Sequence, residues 1–177
     1  MTPFAQRMLR AARLEAGLYE EVEADSSAMG QAIGVVVLSS LAAGIAMVEI
    51  QGLSGVLVGT IVSLISWLVW AYLVYLIGTK LLPESQTQAD LGQLLRTIGF
   101  SSTPGLIRIL GIIPFLRGLV FIVAGIWMLV AMVIAVRQAL DYKSTLRAAG
   151  VCAIGWLIQM LLMVLFLSLF GGMPQPA

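Results

Sequence analysis

The chain has 177 residues, of which 60% are apolar and 11% charged, against about 45–50% and about 25% in soluble domains. A chain of this length has too much surface to hide that much hydrocarbon in a core of its own, so the composition excludes a water-soluble domain. Ten basic and nine acidic residues nearly cancel and there is no histidine, so net charge points to no class of partner, nucleic acid included, and the commonest general base and metal ligand is missing.

Residues 1–27 form a polar lead-in rich in both charge signs. This is unlike a secretory signal, where a short basic region directly precedes a short apolar one, so the first span is expected to stay as an anchor. Arg7, Arg10 and Arg13 recur every third residue, with Phe4, Met8, Leu9, Leu14 and Leu18 as an apolar complement. The pattern predicts a short amphipathic helix in the headgroup region with its arginines toward anionic lipid, the alternative being a solvated lead-in helix. The acidic run Glu20, Glu21, Glu23, Asp25 is expected to face water, and Asp25 or Ser26 to cap the first membrane helix.

Five stretches then approach the roughly 20 residues needed to cross hydrocarbon: 28–48, 53–78, 94–113, 116–136 and 148–170. The predicted fold is all-α, a polytopic bundle of five transmembrane helices. In the first two spans, Gly30 and Gly34, Ser40 and Gly44, and Gly55 and Gly59 are small residues at four-residue spacing. Such pairs let helix backbones approach closely in lipid, within an antiparallel hairpin or between copies and partners. Trp67, Trp70, Tyr72 and Tyr75 crowd the end of the second span and are expected to form an interfacial belt rather than a ligand cage. The connection 79–93, with Pro83, Glu84 and Asp90, reads as an ordinary solvated linker.

The third stretch is the least regular. Ser101, Ser102 and Thr103 precede Pro104, and Arg108 follows one turn later. Proline removes a backbone donor, and hydroxyls can re-satisfy the carbonyls it frees. A guanidinium at membrane depth is costly and faces a bundle interior, a water-filled cavity or headgroups. Arg108 with Ser101, Ser102, Thr103 and Pro104 is therefore the candidate site for a lipid phosphate, another anion or an acidic partner, the alternative being an arginine that snorkels to the interface.

If the third stretch crosses, Arg7, Arg10, Arg13, Lys80, Arg96, Arg137, Lys143 and Arg147 lie on one side and only Arg117 on the other. If it dips in and returns, the last three change sides. The positive-inside rule selects five crossings, with a cytoplasmic N-terminus and the tail 171–177 outside.

Catalytic sets are missing. No base stands near a membrane serine, the one acidic residue near a span is Glu49 at a turn, and no glycine-rich nucleotide loop follows a strand. Cys152 is the single cysteine and reads as a small apolar wall residue. No enzyme, metal site or cofactor is expected.

Three segments carry a resemblance. They are Tyr19-Glu20-Glu21-Val22-Glu23-Ala24-Asp25 leading into a small-residue span, Gly99-Phe100-Ser101-Ser102-Thr103-Pro104-Gly105, and Trp127-Met128-Leu129-Val130-Ala131 followed by Arg137-Gln138-Ala139-Leu140-Asp141-Tyr142. Over about residues 5–170 the chain resembles the Yip family, the Ypt/Rab-interacting five-span membrane proteins, in its bacterial branch. The resemblance implies five spans, a cytoplasmic N-terminus and residence in a bacterial inner membrane. Eukaryotic relatives have a longer N-terminal region and are associated with Rab GTPases and vesicle traffic; no partner-binding residue is carried over. The function expected is a non-enzymatic scaffold or accessory subunit organising lipids, other membrane proteins or copies of itself. The alternative is an oligomeric transporter or channel for ions or small solutes.

Overall fold

A computed structural model describes residues 3–170, so the expected outer tail, 171–177, lies outside the described residues. All regular structure within them is helical. Helices α1 (Pro3–Ala12) and α2 (Ala16–Ala24) form a small hairpin. A 3₁₀ turn at Ser26–Ala28 leads into α3 (Met29–Ala46), and α4 (Val48–Leu76) continues into a π turn at Ile77–Leu81. Then come α5 (Leu91–Ser101), a 3₁₀ run (Thr103–Ile112), α6 (Pro114–Ala139) and α7 (Thr145–Phe170).

Four segments are long and apolar enough to cross a membrane: Ser26–Ala46, Val48–Leu81, Pro114–Ala139 and Thr145–Leu162. The expected third span is instead two helices of different winding, of 11 and 10 residues. End to end they reach roughly 35 Å, comparable with about 30 Å of hydrocarbon. Both pack along α3 and α6, and α5 also meets α2 and α4, so the broken segment runs through the interior of the bundle. A 3₁₀ run of this length is unusual, because its hydrogen bonds are poorly aligned.

Side-chain size sorts inside from outside. Leu53, Leu57, Ile61 and Ile65 make an exposed row along α4, and Phe115, Leu119, Ile122 and Ile126 another along α6. Those rows at four-residue and three-to-four-residue spacing are the lipid face. On α3 and α6 the buried positions are mostly small: Ala28, Ala32, Ala42 and Ala46 about α3, and Ala124, Ala131, Ala135 and Ala139 on α6. Lipid gives apolar helices no reason to associate by hydrophobicity, so close backbone approach must hold them. At Gly99 a side-chain carbon would stand 2.8 Å from Ala32 Cβ, which sets the α3–α5 spacing. Near the start of α4, Gly52 takes φ +66° and kinks the helix, a conformation that glycine adopts without strain, three residues after the turn expected at Glu49.

The N-terminal hairpin is held together by its own charges. Its arginines face carboxylates of the acidic run: Arg7 pairs with Glu21 at 2.8 Å and Asp25 at 2.7 Å, and Arg10 with Glu15 at 3.0 Å and with Glu21. The two charged clusters satisfy each other, and Arg10 and Arg7 hold the Glu21 carboxyl below its usual range. Asp25 accepts from Ser27 N at 3.0 Å and so caps the turn into α3. Ala12 O accepts from Trp127 Nε1, midway along α6, at 2.8 Å, so the hairpin lies along the bundle and its tip reaches well down α6. Arg96, buried in α5, donates to Val22 O at 2.8 Å and to Glu23 O. These are last-turn carbonyls of α2 without helical partners, at the negative end of its dipole.

The connection after α4 is docked and not a free linker. Glu84 accepts from Lys143 N at 3.1 Å and pairs with Arg147 at 3.4 Å. Tyr142 Oη donates to Leu82 O at 2.7 Å and stands 3.0 Å from Gly78 O, at the two ends of the π turn. At the opposite end of the bundle, Arg117 pairs with Glu49 at 3.1 Å.

Glu23 sits half-buried at this hairpin interface. Burial first, then the carboxylates of Asp141, Glu20 and Asp90, push its carboxyl up to about 7 from 4.5, while Arg96 pulls it down. With the folded value above the unfolded one, stability from the protonated form is full below about pH 4.5 and lost as pH rises through about 7. Glu23→Gln is therefore expected to raise the melting temperature in detergent near pH 8, by an increment that shrinks to nothing near pH 4.5. An increment independent of pH would mean that the carboxyl does not titrate in this window.

Candidate functional site

The break in the third stretch is built by its own side chains. Ser101 Oγ donates to Ile98 O at 2.7 Å and Thr103 Oγ1 to Phe100 O at 2.7 Å, capping the end of α5. Pro104, buried in the first turn of the 3₁₀ run, contributes no donor. Ser101, Thr103 and Pro104 thus shape the backbone, while Ser102 and Arg108 line open space.

That space is an open-sided chamber of about 320 Å³ lined by the middle of several helices. Helix α3 contributes Ser39 and Ser40, and α4 contributes Ser63 and Ser66, with Trp67 and Trp70 beside them. Met128 and Met132 come from α6 and Gln159 from α7. The expected belt of aromatics is corrected at two positions, since Trp67, only 8% exposed, and Trp70 turn into the bundle; Tyr72 stays exposed.

Arg108 donates from Nε to Gly105 O at 3.1 Å and from Nη2 to Ser39 Oγ at 2.9 Å, with Met128 Sδ 3.2 Å away. All three acceptors are uncharged. Among the described residues no carboxylate lies within ion-pair distance of it, whereas Arg7, Arg10, Arg117 and Arg147 each have one. An arginine at the centre of a membrane helix costs roughly 2.5–3.5 kcal/mol on insertion scales, so an unpaired one kept inside a cavity leaves room for an anion to offset that cost. Gly105 is what admits the guanidinium: a Cβ there would overlap Ser39 Oγ, Arg108 Nη2 and Met128 Sδ.

The remaining polar groups, serine hydroxyls and the Gln159 amide, can all donate. Ser40 Oγ is used by Val36 O at 2.7 Å, but the hydroxyls of Ser63, Ser66 and Ser102 have no partner among the described residues. The Trp67 indole N–H is buried and likewise has no acceptor. Donors around one positive charge suit an oxygen-rich anion. The fixed positive charge of Arg108 opposes a metal cation, and no group of three His, Cys, Asp or Glu side chains that could hold one occurs among the described residues.

Next to the chamber, sharing Trp70, Arg108, Met128, Met132 and Gln159 with it, lies a cleft of about 860 Å³ between α6 and α7. Its other walls are apolar or small, among them Gly125, Leu129, Cys152, Ala153 and Trp156.

The small-residue positions of the first two spans are distributed unevenly. Gly44 lies against α4, where a Cβ would come 2.9 Å from Val56. Gly34 faces Phe4 of α1, Ser40 lines the chamber, and Gly55 abuts Gln51 of its own helix. At Gly30 and Gly59 an added Cβ would meet nothing within 4 Å. Sequence reasoning missed Ser39, Ser63, Ser66 and Gln159. The available signal was Ser63 and Ser66 on one face of an apolar helix, and Gln159 as the only amide in α7.

Gly105→Val is expected to displace Arg108 and destabilise the protein by about 1–3 kcal/mol, the usual cost of overpacking, read as a lower melting temperature in detergent. Gly125→Ala, where a Cβ meets open space, should leave it unchanged. Equal melting of the two variants would mean that the guanidinium is not seated against Gly105.

The family model described as the Yip1 domain matches residues 19–167, from within α2 to near the end of α7 and across the whole chamber. No match is found among curated proteins, nor among solved structures. With so much of its length matched, and with long apolar helices whose outer faces are hydrocarbon, the chain belongs to the Yip1-domain family and is an integral membrane protein.

Proposed function

We propose that this protein is a non-enzymatic scaffold or accessory subunit that organises membrane lipids or membrane protein partners by holding an anionic group at Arg108. The observation that carries this reading is the guanidinium inside the bundle with only neutral acceptors, beside serine hydroxyls that have no partner among the described residues. The chamber offers donors but no carboxylate or imidazole to move a proton, so its chemistry favours binding over turnover. In this reading the broken third segment makes the fifth crossing, the N-terminus lies in the cytoplasm of a bacterium, and the tail lies outside the inner membrane. The charge distribution supports that threading, with Arg117 isolated at the far end beside Glu49.

A second reading, a small-solute or ion transporter acting as an oligomer, is favoured by the winding change beside a mid-height chamber, since carriers build sites from interrupted helices.

Native mass spectrometry of protein taken directly from its membrane into nanodiscs tests both. The expected result is an anionic lipid or acidic partner retained by the wild type and reduced about tenfold or more in Arg108→Leu, as loss of a charge-assisted contact worth about 1.5–3 kcal/mol requires. A bare homo-oligomer carrying neither would sink the scaffold reading in favour of transport.

A further inference from the structure

We infer that the chamber and the α6–α7 cleft are two halves of one binding site for an anionic, acyl-chain lipid, with the headgroup against Arg108 and the chain between α6 and α7. The inference rests on the anion reading of Arg108 and goes beyond it by naming the ligand class and its pose.

Three observations support it. First, the two cavities adjoin the same side chains, Arg108, Met128, Met132, Trp70 and Gln159, yet differ in character. The chamber presents a guanidinium, hydroxyls and an amide; the cleft presents Gly125, Leu129, Ala153 and Trp156. A free anion would use the first and leave the second empty, whereas an amphiphile fills both. Second, the volumes, about 320 and about 860 Å³, place the larger space on the apolar side, and each lies within the size range of sites for small molecules, about 300–1,000 Å³. Third, donors facing the chamber are unfilled: Arg108 bonds through Nε and Nη2 alone, and its Nη1 and the hydroxyls of Ser63, Ser66 and Ser102 have no partner among the described residues. Phosphate oxygens would supply acceptors in number, and phosphate–guanidinium pairing adds geometric fit to charge.

The pose has a physical implication. Ser39, Ser63, Met128 and Gln159 all lie near the middle of their helices, so the headgroup is held well inside the hydrocarbon and not at its surface. Holding it there requires the charge and hydroxyls that the chamber supplies. A lipid in this position is withdrawn from its leaflet, and the cleft is its way in from the bilayer.

The test uses the full chain in nanodiscs of phosphatidylcholine with a minority of phosphatidylglycerol, counting the phosphatidylglycerol retained by native mass spectrometry. Arg108→Gln removes the headgroup contact. Gly125→Leu fills the cleft at a position with nothing within 4 Å of an added Cβ, and Gly118→Leu, equally open and on the lipid side of the same helix, is the control. Arg108→Gln and Gly125→Leu are each expected to lose about tenfold or more of the retained lipid, and the control none. Loss in Arg108→Gln with full retention in Gly125→Leu would overturn the two-part site while leaving the anion reading of Arg108 standing. Retention in both would overturn the two together. Displacement of the lipid by inorganic phosphate, equally in wild type and Gly125→Leu, would assign the site to a free anion instead. One measurement needs no variant: phosphatidylglycerol with a photoreactive acyl chain should mark Met132 and Cys152 in the wild type. That labelling should be competed by unlabelled phosphatidylglycerol and not by phosphatidylcholine; labelling indifferent to the competitor would count against the proposal.

Discussion

Within hydrocarbon every backbone carbonyl needs a partner from the protein itself, and at Ser101–Pro104 this rule governs the rest of the bundle. Two carbonyls near the end of α5 are served by the hydroxyls of Ser101 and Thr103, so the helix can stop in the interior without leaving them bare. The narrower 3₁₀ run that follows brings Gly105 against α3 and α6 and points Arg108 at Ser39. An uninterrupted α-helix would carry residue 108 round to a different face. The chamber, its charge and its opening toward α7 all follow from a backbone that changes winding in mid-membrane.

A second constraint acts at the hairpin end. Small interior residues allow close contact but give little direction, since alanine faces pack in several registers. Directed bonds supply it: Arg96 to the end of α2, Gln138 to Glu20 at 2.6 Å, and Trp127 to Ala12. Each joins the hairpin to a different part of the bundle. The hairpin carries its own countercharges, so the bundle meets it through these neutral or singly charged contacts and not through a field of arginines.

Much of the architecture is legible in composition and charge, because a long apolar run has one fate in lipid. Asp90 and Gln93 form a capping box, each side chain bonded to the other's backbone N–H, and that spacing is visible in the sequence as a helix start. Arg108 and Ser102 are legible too, since an arginine after a serine–proline break stands out against its surroundings. The serines of α3 and α4 are not. In a membrane helix a serine satisfies its own preceding carbonyl, as Ser40 does, and the sequence does not distinguish that use from a wall position. Trp67 and Trp70 were misleading for a related reason: tryptophan suits an interface and a polar cavity alike, since both offer an apolar bed and a wet edge. The pairing of Arg7 and Arg10 with the acidic run depends on a turn at residues 13–15, where Leu14 takes φ +62°, and no glycine marks it.

The π turn at the end of α4 depends on a residue made much later. Tyr142 Oη reaches back 60 residues to Leu82 O, and at about 5–20 residues per second of synthesis the earlier segment waits roughly 3–12 s for it. Throughout that interval the carbonyls of Gly78 and Leu82 need water. The end of α4 must therefore remain outside the hydrocarbon while α5 and α6 are being added, which gives the growing chain a fixed wet anchor on one side of the bilayer. Completion of the α6–α7 turn then replaces water by a phenol, so this end of the bundle is sealed only as the last helix emerges.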